Sequence, residues 1–417
     1  MAARRNNIAA KLNSAMALMI ASGFALLFCK TPDLQTAVMG FTVTVVFLMV
    51  NMLLPKVFFA DGLLTSLITF LCSIGILILY RISPARGISQ GINYLIGLVA
   101  MVMFMLFVRH LKLFRRLPVP VALASLGLMV LPIVFGREQS GAKAWVALGG
   151  FTFQPSELVK VTLIMVNAVL LSRRKLLLSM AFTGICLLTL VLQKDMGTAM
   201  LYYVTALSMM YVATGSIPLL TSGIVGAGTA LVLGYNLLKR MGFAHIDRRI
   251  TAWLNPWGSY ENEGFQTVQS LLAIVNGGPF GMGLGVGNAS RIPLRDTDSI
   301  FPFIVNEMGI IFGVCMILIY IMILLRGVGI AMRCNGRFHA LAALGCSVML
   351  SFQTFVIIGG NINLIPITGV TLPFISYGGT SMLASLSLTG VLLGIESCND
   401  HDIAEDARLA TGEDVLK

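Results

Sequence analysis

Read by hydropathy alone, the chain is a train of apolar runs separated by short polar breaks. Twelve runs stand out, at 12–29, 34–54, 63–80, 91–108, 118–135, 154–171, 176–193, 197–213, 216–237, 301–325, 338–358 and 376–395. Runs of about 20 apolar residues cross the hydrocarbon core as helices, because in lipid each backbone polar group must be satisfied within its own segment. The pattern predicts an all-α polytopic membrane protein of about 12 transmembrane helices. One interruption, 238–300, is far longer than the rest. It holds Trp253, Trp257, Tyr260 and Phe265, and its run QTVQSLLAIVNGG places apolar residues at helical spacing. Amphipathic helices on the membrane surface are expected there, rather than a disordered linker.

Composition agrees with this reading. Hydrophobic residues make up 57% of 417 and charged residues only 11%, too apolar for a soluble chain to hide. The net charge of +11 does not point to nucleic acid, because Lys and Arg are scattered between the spans. Sixteen of them fall in loops and tails on one side and six in the short loops on the other, with the long loop left out. The positive-inside rule then places both termini in the cytoplasm and the 238–300 loop outside. The first apolar run has no small-x-small cleavage site and reads as a retained span. The acidic stretch 396–417 reads as a mobile cytoplasmic tail. Seven cysteines include no CxxC pair, and four histidines are dispersed, so neither a disulfide framework nor a zinc site is supported.

Candidate chemistry concentrates in RIPLRDTDSIFPFIVNEMG, 291–309, which gathers Asp296, Asp298 and Glu307, with Arg291 and Arg295 beside them. Pro302 fixes where the following helix begins, so Asp298 stands at or just before its N-terminus. Two readings are open: a carboxylate that caps the helix, or one that does chemistry. In QPSELVK, Glu157 and Lys160 share a helix face at i,i+3, and Asp195 lies at the turn between two spans. Each either lines a wet cavity or forms a structural pair. The adjacent Arg248 and Arg249 suit a phosphate or pyrophosphate, or equally lipid headgroups. GGPFGMGLGVGN has neither a preceding strand nor GxxxxGK[ST], so it reads as turns for close packing. Pro366, Pro373, Gly369, Gly378 and Gly379 predict a broken or re-entrant segment.

Six blocks, GGFTFQPSELVK, QKDMGTAMLYYVTALSMMYVATG, RRITAWLNPW, GFQTVQSLLAIVNGGPFGMGLG, DTDSIFPFIVNEMG and LIPITGVTLPFISYGGTSML, occur in the order found in the SEDS family (FtsW, RodA, SpoVE). The chain resembles that family over about 63–395. The resemblance implies a peptidoglycan glycosyltransferase that polymerises lipid II outside the membrane and partners a class B penicillin-binding protein, a transpeptidase. Membrane lipids are the other expected contacts. Asp298 matches the family's essential aspartate, and Glu157, Lys160, Asp195 and Glu307 match further polar positions. Ser299, Lys194, Asn306 and Ala144 depart from the family pattern. The implied organisation is 1–62 as an N-terminal tail with two additional helices, 63–395 as the ten-helix membrane domain and 396–417 as the tail.

The expected mechanism has Asp298 as general base on the acceptor hydroxyl and undecaprenyl pyrophosphate as leaving group. Arg248, Arg249 or Arg291, with a divalent cation (magnesium or manganese) as candidate cofactor, would stabilise the departing charge. The competing readings are a transporter or flippase of lipid-linked precursors, with Glu157, Lys160 and Asp195 as its polar path, and a noncatalytic scaffold for a transpeptidase.

Overall fold

The computed structural model describes residues 2–58, 60–109, 118–139, 142–148, 151–240, 244–262, 264–287 and 291–411. Fifteen helices follow in order: α1 (Ala2–Lys30), α2 (Leu34–Phe58), α3 (Gly62–Ile82), α4 (Pro84–Arg109), α5 (Pro118–Phe135), α6 (Pro155–Ser172), α7 (Leu176–Leu192), α8 (Met196–Thr214), α9 (Ile217–Arg240), α10 (Ala244–Leu254), α11 (Gly264–Gly277), α12 (Ile300–Met308), α13 (Ile310–Arg333), α14 (Arg337–Asn361) and α15 (Gly379–Thr411). Ten of them are long and apolar enough to cross a membrane, and α7 and Ile217–Ala230 of α9 are shorter apolar helices. The protein is a multi-pass membrane protein.

Local signals explain many of the boundaries. Asp61 caps α3, its carboxylate accepting the N–H groups of Leu63 at 2.8 Å and Leu64 at 3.2 Å. Pro155 opens α6, where a missing N–H is harmless. Gly215 ends α8 in the left-handed region, φ 66°, and donates to Tyr211 O at 2.7 Å.

Helices α3, α6, α14 and α15 form the buried centre, whereas α1, α2, α4, α5 and α13 turn most of their surface outward to lipid. Helix α15 lies along α4 with glycine at Gly390 and Gly394, a small-xxx-small pair that lets two backbones meet. A Cβ at Gly390 would sit 2.3 Å from Met101 O, so the close approach depends on its absence.

Two expectations are corrected. The expected tenth span, 301–325, is two helices, broken at Gly309 with φ 90°. The glycine-rich loop after α11 causes the break by satisfying both facing helix ends. Gly278 O and Pro279 O accept Ile310 N–H at 2.9 Å and Ile311 N–H at 3.2 Å, while Met282 and Gly283 N–H donate to Asn306 O at 2.9 Å and Glu307 O at 3.0 Å. The crossing helix of this region is therefore α13. The second correction concerns 396–417: α15 continues without interruption to Thr411, and 412–417 lie outside the described residues. The connection between α5 and α6 carries structure that the apolar runs do not predict. It holds a small antiparallel sheet in the order β1 (Arg137–Gln139), β2 (Ala142–Leu148) and β3 (Phe151–Phe153), with Val146 opposite Phe153.

The long loop is structured as expected, with α10 and α11 amphipathic. Between α14 and α15, residues 362–378 are non-helical, which is the broken segment that the prolines and glycines predicted.

Candidate functional site

Asp298 sits at the end of a tight turn just ahead of α12. Leu294 takes φ 50°, and its carbonyl accepts Thr297 N–H at 3.1 Å and Ser299 N–H at 3.0 Å. Ser299 holds the cap position, and no side chain caps the helix, so capping does not use the Asp298 carboxylate. The turn is clamped from the broken segment and the end of α14. Tyr377 N–H donates to Asp296 O at 2.8 Å, Ser376 Oγ to Thr297 O at 2.6 Å and Asn361 Nδ2 to Asp298 O at 2.9 Å. Three consecutive carbonyls are thus fixed, and the side chain they carry is held in place with them.

Asp298 is half-buried. Burial pushes its pKa up to about 6, against the opposing pull of the Arg249 guanidinium and a Thr297 hydrogen bond, with a further push from Asp296. Arg249, from α10, donates through Nη1 to Thr368 O at 3.1 Å. Between the two charges lies Gly369, φ 78°. A methyl placed there would stand 3.6 Å from Arg249 Nη2 and 3.8 Å from Asp298 Oδ2. A carboxylate near neutrality, a guanidinium and a glycine floor make a site able to take a proton from a hydroxyl and to hold an anionic group beside it.

The other acidic residues of the same stretch point elsewhere. Asp296 is ion-paired with Arg86, whose guanidinium carbon lies 6.0 Å from the ring centre of Tyr377. Glu307 faces away from Asp298, toward Arg81 Nε at 3.2 Å and Gly285 N–H at 3.1 Å. Gly285 O in turn accepts from Arg81 Nη2 at 3.1 Å and from Lys30 Nζ at the end of α1. Glu307 is therefore part of a node that ties the glycine-rich loop to α1, α3 and α12. Arg248 and Arg291 are exposed.

Glu157 and Lys160 do share a face of α6, and both are buried. Lys160 Nζ donates to Glu157 Oε1 at 2.7 Å and to Gln353 Oε1 at 3.0 Å, and Gln353 Nε2 donates to Thr371 O at 2.8 Å. The chain of bonds runs from α6 through α14 into the broken segment that floors the Asp298 site. Asp195 caps α8, accepting Thr198 N–H at 3.1 Å, and also accepts Gln154 Nε2 at 3.0 Å. The first turn of α8 packs on the same segment: a Cβ at Gly197 would lie 2.9 Å from Thr368 O. Among the described residues no group of three His, Cys, Asp or Glu could hold a metal. Asp298 offers a single carboxylate, which suits a cation held mainly by the phosphates of a substrate.

The site also contains residues that sequence reasoning did not single out: Asn361, Gln353, Thr368, Ser376 and Tyr377. All but Gln353 lie in or beside the glycine- and proline-broken stretch, which was the signal available for them.

Comparison with known proteins is consistent with this arrangement. Residues 84–401 match the family model FTSW_RODA_SPOVE, described as "Cell cycle protein". Peptidoglycan glycosyltransferase RodA of Mycobacterium tuberculosis (strain ATCC 25618 / H37Rv) is 31% identical over 371 residues, covering 81% of this chain and 78% of the relative. Probable peptidoglycan glycosyltransferase FtsW of Geobacter metallireducens is 35% identical over 321 residues, covering 74% and 84%. Among solved structures, a chain from work on the structural coordination of polymerization and crosslinking by a peptidoglycan synthase complex superposes with TM-score 0.69 at 26% identity, over 82% of this chain and 98% of that one. The Thermus thermophilus rod shape determining protein RodA superposes with TM-score 0.60 at 25% identity, over 81% and 96%. With three quarters of its length under one family model, its fold shared with RodA and its curated relatives named for one activity, the chain belongs to the FtsW/RodA/SpoVE (SEDS) family and is a peptidoglycan glycosyltransferase.

Proposed function

We propose that this protein polymerises lipid II at the outer face of the membrane, with Asp298 as general base. The observation that carries this reading is the half-buried Asp298 carboxylate, raised to about 6 and rigidly presented beside Arg249. Asp298 takes the proton of the acceptor sugar hydroxyl. The freed oxygen attacks the anomeric carbon of a second lipid-linked saccharide, and the bond from that carbon to the pyrophosphate oxygen breaks with inversion. Undecaprenyl pyrophosphate leaves with the electron pair, and Arg249 is placed to stabilise its charge. Arg248 and Arg291 lie further out on the exposed rim. A divalent cation would supply further charge neutralisation on the pyrophosphate, held mainly by the phosphate oxygens themselves.

The broken segment supports a floor for the sugar, and the internal pairing of Glu157 with Lys160 and Gln353 favours a structural role for that pair over a transport path. The excess of Lys and Arg on the side opposite Asp298 supports cytoplasmic termini. The solved synthase complex, in which polymerization and crosslinking are coordinated, supports a class B penicillin-binding protein as partner.

The test is glycan synthesis from purified lipid II by the detergent-solubilised protein with its transpeptidase, comparing wild type with Asp298→Asn and Asp298→Ala. Polymer from wild type and none from either folded variant is expected. Undiminished polymer from Asp298→Asn would remove Asp298 as base, and no polymer from the wild-type complex would favour the scaffold or transport reading.

A further inference from the structure

A second candidate site lies at the end of the bundle opposite Asp298. Helix α14 ends at Asn361, which holds the Asp298 carbonyl, and its 25 residues place its first residue, Arg337, about 36 Å away. There a cavity of about 450 Å³ opens between the ends of α6 and α8 and the starts of α7 and α14. Its walls are Leu171, Arg174, Leu176, Ala213, Thr214 and Arg337.

Both arginines stand where the local backbone disfavours them. Arg174 follows the end of α6 in the left-handed region, φ 59°, closing a turn in which its own N–H donates to Leu171 O at 3.0 Å and that of Lys175 to Leu170 O at 2.9 Å. Glycine is the usual residue at such a position, because an L side chain is strained there. Arg337 is the first residue of α14, whose Gly336 cap makes no side-chain hydrogen bond, so a cation there opposes the helix dipole. Among the described residues, neither guanidinium has a carboxylate partner.

Arg174 and Arg337, both exposed, line the same cavity, and each guanidinium offers a planar fork to phosphate oxygens. The rest of the wall is largely apolar, and Leu177 and Leu178 continue from Leu176 on the outward, lipid-facing surface of α7. A phosphate held here can trail acyl chains along that surface, which a soluble ion would leave unused. We propose that this cavity binds the headgroup of one anionic phospholipid, Arg174 and Arg337 gripping its phosphate while Leu171, Leu176 and Ala213 take the glycerol and first methylenes. Such a lipid also screens the arginine–dipole conflict at the start of α14, the helix whose other end holds the Asp298 turn.

The test is native mass spectrometry of the full chain in detergent, titrated with phosphatidylglycerol, phosphatidylethanolamine or inorganic phosphate. One phosphatidylglycerol is expected to bind at least tenfold more tightly than phosphatidylethanolamine. Arg337→Gln and Arg174→Gly should each weaken it tenfold or more. Arg174→Gly also relieves the left-handed residue, so its melting temperature without lipid should hold or rise, which separates lost binding from lost folding. Arg333→Gln, exposed in the last turn of α13 and outside the cavity wall, should leave binding unchanged. Equal retention of the two lipids, wild-type binding by either cavity variant, or equal weakening by Arg333→Gln would overturn the site. Inorganic phosphate binding as tightly as phosphatidylglycerol would assign the cavity to a soluble anion and overturn the lipid.

Discussion

Asn361, the last residue of α14, donates its side-chain amide to the carbonyl of Asp298 at 2.9 Å. A residue buried in one helix thereby fixes the backbone of the turn on which the candidate base is mounted. Replacing it with Leu removes one buried hydrogen bond and leaves a carbonyl unsatisfied, at a cost of about 1–3 kcal/mol. The expected result is a lowered melting temperature together with a fall in polymerisation rate larger than the fall in lipid II binding. Equal rates for Asn361→Leu and wild type would show that the turn does not need this anchor.

The displaced pKa of Asp298 gives a pH profile. The base form is the ionised one, so the polymerisation rate should rise as pH increases through about 6 and level off above it. Arg249 pulls that value down, so Arg249→Gln should move the acid limb to higher pH. The sign for stability is the reverse. A folded-state pKa raised from 3.8 to about 6 contributes stability that is fully present below the lower value and lost as pH rises through the upper one. Asp298→Asn should therefore melt no lower than wild type at neutral pH while losing activity, a combination that thermal melts and the polymer assay read side by side.

Gly369 separates Arg249 from Asp298. Gly369→Ala puts a methyl against both groups and forces an L residue into φ 78°, a strain of about 1–2 kcal/mol. Polymerisation should fall far more than that stability loss accounts for. A mutant with wild-type turnover would mean that the substrate does not use this floor.

Lys160 and Glu157 form a buried ion pair, and Lys160→Met strands the carboxylate. The single change should destabilise by about 3–5 kcal/mol, whereas the double change Glu157→Gln with Lys160→Met should recover most of it. A denaturation cycle over the four proteins measures the coupling. Recovery of folding without recovery of polymer would assign the pair a further part in the reaction.

Much of this architecture was legible in the chain. The apolar runs located the membrane helices, because lipid demands uninterrupted length, and the prolines and glycines near the C-terminus located the broken segment between α14 and α15. Asp298 stood out as a carboxylate beside a proline-marked helix start. Other features were out of reach because they depend on tertiary partners. The stop at Gly309 arises from carbonyls and amides of a loop some 30 residues earlier in the chain, so the run 301–325 reads as one helix until that loop is in place. Glu307 is a carboxylate of the same stretch as Asp298, yet its contacts are with Arg81 and Gly285. Asn361 is one amide among several in its stretch, and only the fold brings it to the carbonyl that matters.

Helices α1 and α2 pack along α3, whose membrane-crossing stretch is almost wholly covered, and Lys30, at the end of α1, fastens the pair to the glycine-rich loop. One flank of the bundle is thereby walled off. On another flank a largely apolar groove of about 580 Å³ stays open between α4, α5, α6 and α15, with Thr162 and Ser387 among its lining. The hairpin of α1 and α2 thus gives the bundle one covered flank, and the groove leaves another uncovered.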